Sequence, residues 1–219
     1  MVSRERLHQI VSTSAKTFWK RRIPFVIIVV VVGIAAWSLR GRNSLPIPAQ
    51  GGELFQNFTA FETPLYLQDD KNWSGEEIGG SGEKLVETGC AICSLAMALD
   101  HFGVHYTPKE LNTALKVNRG YTWRGWLRWQ AVSTITSNKV IVEIIPKPSH
   151  ADIDAALRSG NPVVAKILIN RNTPHWVLIV GKEGMDYPIR DPLGNGHSLE
   201  PLSKYDRDIF GIRIVKGGG

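Results

Sequence analysis

The sequence predicts an α+β domain in which helices come first and an antiparallel sheet follows. Apolar residues recur every three or four positions from Ile92 to Phe102, which is typical of a helix with one buried face. From Lys139 onward the chain forms short runs rich in β-branched residues, which favour strands. The composition, 43% hydrophobic and 21% charged over 219 residues, is that of a globular domain with an appendage. We therefore expect helices packed on an antiparallel β-sheet.

The first 63 residues divide by composition into three parts. Residues 1–22 are a basic tail, residues 23–39 form an uncharged apolar run, and residues 40–63 are rich in Gly and Pro. We predict a single transmembrane helix at 23–39 and a linker at 40–63. A cleaved signal peptide is the alternative, but the basic region is long and no small-residue cleavage site follows. The excess of Lys and Arg before the run predicts a cytoplasmic N-terminus and an extracytoplasmic domain.

The net charge of +6 does not indicate a nucleic-acid-binding face. Residues 1–22 carry +5 of this charge, from six Lys and Arg against Glu5, which leaves +1 for the rest of the chain. No glycine-rich phosphate loop follows a predicted strand, so nucleotide binding has no support. We expect no cofactor.

The predicted domain spans residues 64–216. A short strand at 64–70 leads to a helix that begins at Cys90 and ends at Gly103. A capping box at Thr107 starts a second helix, which runs to about Lys116. A third helix, broken or loose near Gly125, is predicted over 122–132, with its three tryptophans in the core rather than at a ligand stacking site. Strands are predicted at 139–145, 162–169, 175–180 and 208–215, with a capped helix at 149–158 and a hairpin turn at 182–185.

Both cysteines of the chain, Cys90 and Cys93, lie at the start of the first helix. A cysteine at a helix N-terminus lies where unpaired N–H groups and the helix dipole favour a thiolate, which is a nucleophile. The alternatives are a small buried hydrophobe, a redox pair and half of a zinc site. A zinc site would need two more ligands, and no second C-x-x-C exists, so no metal is expected.

A cysteine nucleophile needs a base, and the base needs a group that orients its ring. His175 opens an apolar strand that would fix its position, and Asp191 follows the next strand. Antiparallel pairing of these strands would bring the two residues together. His197 is the main competitor for the role of base. The order Cys90, His175, Asp191 suits a two-lobed cysteine hydrolase.

The motifs at these positions resemble those of the peptidase C39-like family. They are Leu65-Tyr66-Leu67-Gln68, Gly89-Cys90-x-x-x-Ser94-Leu95-Ala96-Met97, Pro174-His175-Trp176-Val177 and Asp191-Pro192. The resemblance implies a papain-like two-part fold over residues 63–215, with Cys90 as nucleophile, His175 as general base and Asp191 as its orienting residue. It also implies that Gln68 and the backbone N–H of Cys90 form the oxyanion hole. Cys93 departs from the family, which often has Thr there.

The leading hypothesis is a membrane-anchored, extracytoplasmic cysteine peptidase that hydrolyses a peptide or amide bond of a peptide or protein substrate. A catalytically inactive peptide-binding module of the same fold is the second hypothesis. A thiol–disulfide exchanger that uses Cys90 and Cys93 is the third, and the absence of a βαβ context argues against it.

Overall fold

The structure is a computed structural model, and it describes residues 45–145, 147–170, 172–195, 199–205 and 208–219. The predicted tail at 1–22 and the predicted transmembrane helix at 23–39 lie outside these residues, as does His197. Among the helices of the described ranges, none has the length and apolar character needed to cross a bilayer. Residues Ser44–Gly219 form one compact unit.

The helices lie mainly in the first half of this unit. They are α1 (Leu85–Thr88), α2 (Cys90–Asp100), α3 (Pro108–Val117), α4 (Ala131–Ile135) and α5 (His150–Arg158). As predicted, α3 starts at a capping box in which the Thr107 side chain accepts from the backbone N–H of Glu110. Ser149 caps α5 in the same way through Asp152.

The strands form two antiparallel sheets. They are β1 (Phe55–Ala60), β2 (Val140–Ile145), β3 (Val163–Ile169), β4 (Thr173–Ile179), β5 (Gly181–Gly184), β6 (Pro188–Arg190), β7 (Glu200–Pro201) and β8 (Gly211–Gly217). Six of them form the main sheet in the order β2-β8-β3-β4-β6-β7, and β1 pairs with β5. The prediction of an α+β fold with an antiparallel sheet is confirmed.

Each face of the main sheet is covered by a separate hydrophobic core. Helices α2, α3 and α4 pack on one face, where Val164 and Leu178 join the first core. Helix α5 covers the other face, where Val163 and Val177 join the second core. Neighbouring residues of one strand point to opposite faces. Both faces of the central strands are therefore buried, and Val163–Ile169 is accordingly apolar at every position except Lys166.

Helix α2 is buried on nearly all sides. From Cys90 to Leu99 only Ala91 is more than slightly exposed. A helix that is apolar on every side belongs inside a core, and α2 is the element on which the helical layer and the sheet both pack. Its first residue therefore has a fixed position relative to the strands.

The predicted third helix at 122–132 is wrong. The chain from Tyr121 to Leu127 forms a tight loop closed by a β-bridge between these two residues, and only Ala131–Ile135 is helical. Gly125 lies at a positive φ of 76°, which ends any helix there. Of the three tryptophans that were expected in the core, Trp129 is buried, while Trp123 and Trp126 are exposed.

The predicted linker also ends earlier than composition indicated. Ile47 pairs with Ile209, and β1 pairs with β5, so residues 45–63 belong to the folded unit and the domain begins before Pro64. Gly52 in this segment lies against α5. A Cβ on Gly52, which has a φ of +76°, would lie 2.2 Å from Oδ2 of Asp154.

A fully buried ion pair holds this first segment in place. The Nζ of Lys182 on β5 lies 2.5 Å from Oδ1 of Asp154 on α5 and donates to the carbonyl of Gly51 at 2.7 Å. The backbone N–H of Glu53 donates to the other oxygen of Asp154. Each charge is therefore paired and hydrogen-bonded, as burial requires.

Candidate active site

Cys90 is the first residue of α2, directly after the turn that joins α1 to α2. Gly89 makes this junction possible, because a Cβ at that position would lie 2.3 Å from the carbonyl oxygen of Leu85. The side chain of Cys90 is 7% exposed. The predicted nucleophile therefore lies at the N-terminus of a buried helix, where the dipole favours negative charge.

His175 and Asp191 lie together, as antiparallel pairing predicted. Strand β4 pairs with β6 through Leu178 and Arg190, and this pairing brings Asp191, at the end of β6, to the beginning of β4. The Nε2 of His175 lies 2.7 Å from Oδ1 of Asp191. The backbone N–H of Leu193 donates to the same oxygen at 2.9 Å, which fixes the carboxylate.

The electrostatic environment of His175 favours the imidazolium ion. Burial alone lowers the pKa of His175, but hydrogen bonds to Asp191 and Cys90, together with the charges of both groups, outweigh burial and raise the pKa to about 9. The pKa of Asp191 is correspondingly below its usual value, because burial is outweighed by the hydrogen bond and charge of His175. Asp191 and Cys90 therefore both act on the protonation of His175.

Lys204 lies on the other side of the Asp191 carboxylate. Its Nζ is 3.6 Å from Oδ2 of Asp191, an oxygen that is buried and has no hydrogen-bond partner among the described residues. Lys204 also pairs with Glu200. It belongs to the 3₁₀ helix Leu202–Tyr205, and the ring of Tyr205 meets that of His175 in a T-shaped arrangement, with 6.4 Å between centroids.

Ser94 connects the cysteine-bearing helix to the histidine-bearing strand. Its Oγ donates to the backbone carbonyl of Trp176 at 3.1 Å. Ser94 lies one turn after Cys90 on α2, and Trp176 follows His175 on β4. Ser94 is fully buried. The hydrogen bond therefore fixes the distance between the two elements that carry the thiol and the imidazole.

The side chain of Gln68 faces α1, the helix that precedes Cys90. The backbone N–H of Gln68 donates to the carbonyl of Pro192 at 3.0 Å, and its Nε2 donates to the carbonyl of Val86 at 2.8 Å. Its Oε1 is buried and has no partner among the described residues. Gln68 therefore joins the loop after Asp191 to the helix before Cys90.

Cys93 differs from Cys90 in its surroundings. Its side chain is fully buried, and this burial, reinforced by the charge of Cys90, raises the pKa of the Cys93 thiol. Both cysteines are free thiols. A buried thiol with a raised pKa is a poor partner in thiol–disulfide exchange, so the surroundings of Cys93 do not favour the exchanger hypothesis.

Two contributors to the site were not identified from the sequence. Ser94 was noted only as part of a motif, although a polar residue within an apolar helix is a signal that a buried hydrogen-bond partner exists. Lys204 had no recognisable signal, because a lone lysine in a polar stretch is ordinarily a solvated surface residue.

Cysteine hydrolases use three groups of this kind: a thiol at a helix N-terminus, an imidazole on a sheet and a carboxylate behind the imidazole. A model of the peptidase C39 family matches residues 84–206, more than half of the chain. The chain therefore belongs to the peptidase C39 family, which is a family of cysteine peptidases. The suspected resemblance is confirmed.

Two solved structures are similar to this chain at low sequence identity. One is described as a C39-like peptidase from Bacillus anthracis, with 17% identity, a TM-score of 0.48, and coverage of 75% of this chain and 100% of that chain. The other is a double glycine motif protease from an AMS/PCAT transporter in complex with the leader peptide, with 16% identity, a TM-score of 0.41, and coverage of 74% and 99%. No curated protein sequence matches the chain.

Proposed function

We propose that this protein is a membrane-anchored, extracytoplasmic cysteine peptidase that uses Cys90, His175 and Asp191. The observation that carries the proposal is the position of His175, whose Nε2 lies 2.7 Å from Oδ1 of Asp191 and whose pKa is raised to about 9 by Asp191 and Cys90 against the effect of burial. A protonated imidazole stabilises a neighbouring thiolate, and the thiolate is the nucleophilic form of cysteine.

The reaction follows from the positions of these groups. The Cys90 thiolate attacks the carbonyl carbon of a peptide bond and forms a tetrahedral intermediate. The His175 imidazolium then donates its proton to the leaving amine, and an acyl-enzyme remains. A water molecule, deprotonated by the neutral imidazole, attacks the acyl carbon and releases the acid. Asp191 keeps the ring oriented through both steps.

Charge develops on the carbonyl oxygen of the substrate, and the chain offers two donors for it. The backbone N–H of Cys90 lies at the beginning of α2, where the helix dipole favours an anion. The amide nitrogen of Gln68 has two hydrogens. One of them is used by Val86, which leaves the second for the oxyanion.

A peptide or protein is the substrate class that the family supports. The similar protease from an AMS/PCAT transporter was solved in complex with its leader peptide. The predicted transmembrane helix at 23–39, and the basic residues before it, support a membrane anchor with the peptidase domain outside the cytoplasmic membrane.

The proposal is tested with a peptidyl electrophile that alkylates active cysteines, together with hydrolysis of a mixed peptide library. We expect Cys90→Ala to abolish labelling and hydrolysis. Cys93→Ala is the matched control, since it removes the neighbouring thiol, and it should keep both activities. Labelling or cleavage that persists in Cys90→Ala contradicts the mechanism. Peptide binding without cleavage by the wild-type protein would instead support the inactive binding module.

A further inference from the structure

The loop from Tyr121 to Leu127 presents two tryptophans to solvent in a fixed conformation. Trp123 is 83% exposed and Trp126 is 64% exposed. The loop is closed by hydrogen bonds from the backbone N–H of Thr122 to the carbonyl of Trp126 at 2.8 Å, and from the N–H of Trp126 to Oγ1 of Thr122 at 3.1 Å. The exposure of these indoles is therefore built into the loop, and exposed apolar patches of this kind mark interaction sites.

Positive charge surrounds these tryptophans. The guanidinium of Arg124 lies 4.7 Å from the ring centroid of Trp123 and 5.4 Å from that of Trp126. Next to the loop, a cavity of about 480 Å³ is lined by three cationic side chains, Lys116, Arg119 and Arg128. The segment from 111 to 142 contains five Lys and Arg and no Asp or Glu.

The cations that line this cavity have no ion-pair partner in the described part of the chain. Glu76 is the carboxylate that is electrostatically coupled to Lys116, and it is itself paired with Lys109 at 2.7 Å. The carboxylate of Glu77 accepts the backbone N–H of Gly82. The like charges around the cavity repel one another, and Glu76 offsets this only in part because it is shared with Lys109. An anionic partner would relieve the repulsion.

We propose that the Trp123–Arg128 loop and the adjoining basic cavity form a docking surface for an anionic phospholipid bilayer. Indole rings are favoured at the membrane interface, where their apolar rings and N–H groups are both accommodated. The guanidinium and ammonium groups complement the phosphates of the headgroups. Trp123 and Trp126 enter the interface, while Arg119 and Arg128 bind phosphates beside them.

This surface is separate from the membrane anchor of the proposed function. The anchor is predicted at 23–39, whereas the docking surface lies in the folded unit 44–219, and all described members of both hydrophobic cores also lie in this unit. This unit is compact and has its own hydrophobic cores, so its lipid binding is measured on that fragment. We expect Cys90→Ala to leave this binding unchanged, so that failure of the docking surface and failure of the peptidase chemistry are distinguishable.

The test is co-sedimentation of fragment 44–219 with vesicles of phosphatidylcholine alone and of phosphatidylcholine mixed with phosphatidylglycerol. We expect binding to the mixed vesicles that falls as salt is added, with a blue shift of tryptophan emission. Trp123→Ala/Trp126→Ala should reduce binding at least tenfold. Arg119→Gln/Arg128→Gln should reduce vesicle binding by about ten- to thirty-fold and remove the preference for the anionic lipid.

Matched controls change exposed residues elsewhere on the folded unit. Leu54→Ala/Met185→Ala removes two exposed apolar side chains, Lys71→Gln/Lys147→Gln removes two exposed charges, and both should bind as the wild type does. Far-ultraviolet circular dichroism checks that every variant is folded.

Three results would overturn the proposal. The first is no binding of the wild-type fragment to the mixed vesicles. The second is equal loss of binding in the control variants. The third is a Trp123→Ala/Trp126→Ala variant that binds vesicles as the wild type does but loses peptide hydrolysis. That result would assign the loop to substrate recognition.

Discussion

Replacing Asp191 with Asn removes the carboxylate charge next to His175 and keeps an amide oxygen in nearly the same place. The amide oxygen still accepts from Nε2 of His175, which is 2.7 Å from Oδ1 in the wild type. The charge that stabilises the imidazolium is lost. We therefore expect the pKa of His175 to fall from about 9 toward its ordinary value.

The size of the effect follows from the environment of His175. Its pKa of about 9 lies above the ordinary 6.5, which corresponds to about 3 kcal/mol of preferential stabilisation of the imidazolium, because one pH unit is worth about 1.4 kcal/mol. Asp191 and Cys90 share this stabilisation. Asp191→Asn lowers the pKa of His175 by roughly one unit or more, in the range that a neighbouring charge produces.

The same shift predicts a pH-dependent stability difference. The folded pKa of His175 is above the unfolded value, so its stabilisation is complete below pH 6.5 and is lost as the pH rises through about 9. We expect Asp191→Asn to lower the free energy of unfolding by about 1–2 kcal/mol at mildly acidic pH, and by less as the pH approaches 9.

The assay is a histidine NMR titration, with the His175 resonance assigned by its absence in His175→Gln. Denaturant unfolding of the wild type and Asp191→Asn at several pH values measures the stability difference. Glu143→Gln is the control, since it removes a carboxylate from an ion pair with Lys216 at the opposite edge of the main sheet. A midpoint for His175 that is equal in wild type and Asp191→Asn would refute the assignment of the shift to Asp191.

Two further predictions concern charges that face each other inside the fold. Lys204→Met should raise the pKa of His175, because the Lys204 ammonium lies 3.6 Å from Oδ2 of Asp191 and partly neutralises that carboxylate. Lys204→Arg keeps the positive charge and should leave the NMR midpoint of His175 near the wild-type value. A lower His175 midpoint in Lys204→Met would contradict this reasoning. Lys182→Met should lower the free energy of unfolding by about 3–5 kcal/mol in urea, because it leaves the buried Asp154 carboxylate unpaired. The double variant Lys182→Met/Asp154→Leu should recover most of this loss, and an equally unstable double variant would show that the ion pair is not the cause.

The parts of the fold that were predicted correctly are those with a strong local pattern. Helix α2 was predicted because its apolar residues recur at helical spacing and Gly103 follows. Strand β2 was predicted from β-branched residues, and its observed bounds are Val140–Ile145. The proximity of His175 and Asp191 followed from antiparallel pairing of consecutive strands, which is a short-range consequence of chain order.

The errors lie where a local pattern was compatible with two environments. The tryptophans at 123, 126 and 129 have helical spacing, but Gly125 adopts a positive φ and turns the chain, so only Trp129 reaches the core. Gly and Pro before residue 64 were interpreted as a linker, although the segment pairs with β5 and with Ile209. Tertiary contacts decided both cases.

The sequence by itself determined the α+β class, the helix that carries Cys90, and the order of the thiol, imidazole and carboxylate. Only the tertiary structure decided that Lys204 faces Asp191, that Ser94 joins α2 to β4, and that two tryptophans remain in solvent. The reason is physical. Periodicity and capping act between residues a few positions apart, whereas these contacts join segments that are brought together only when the sheet and its two cores have formed.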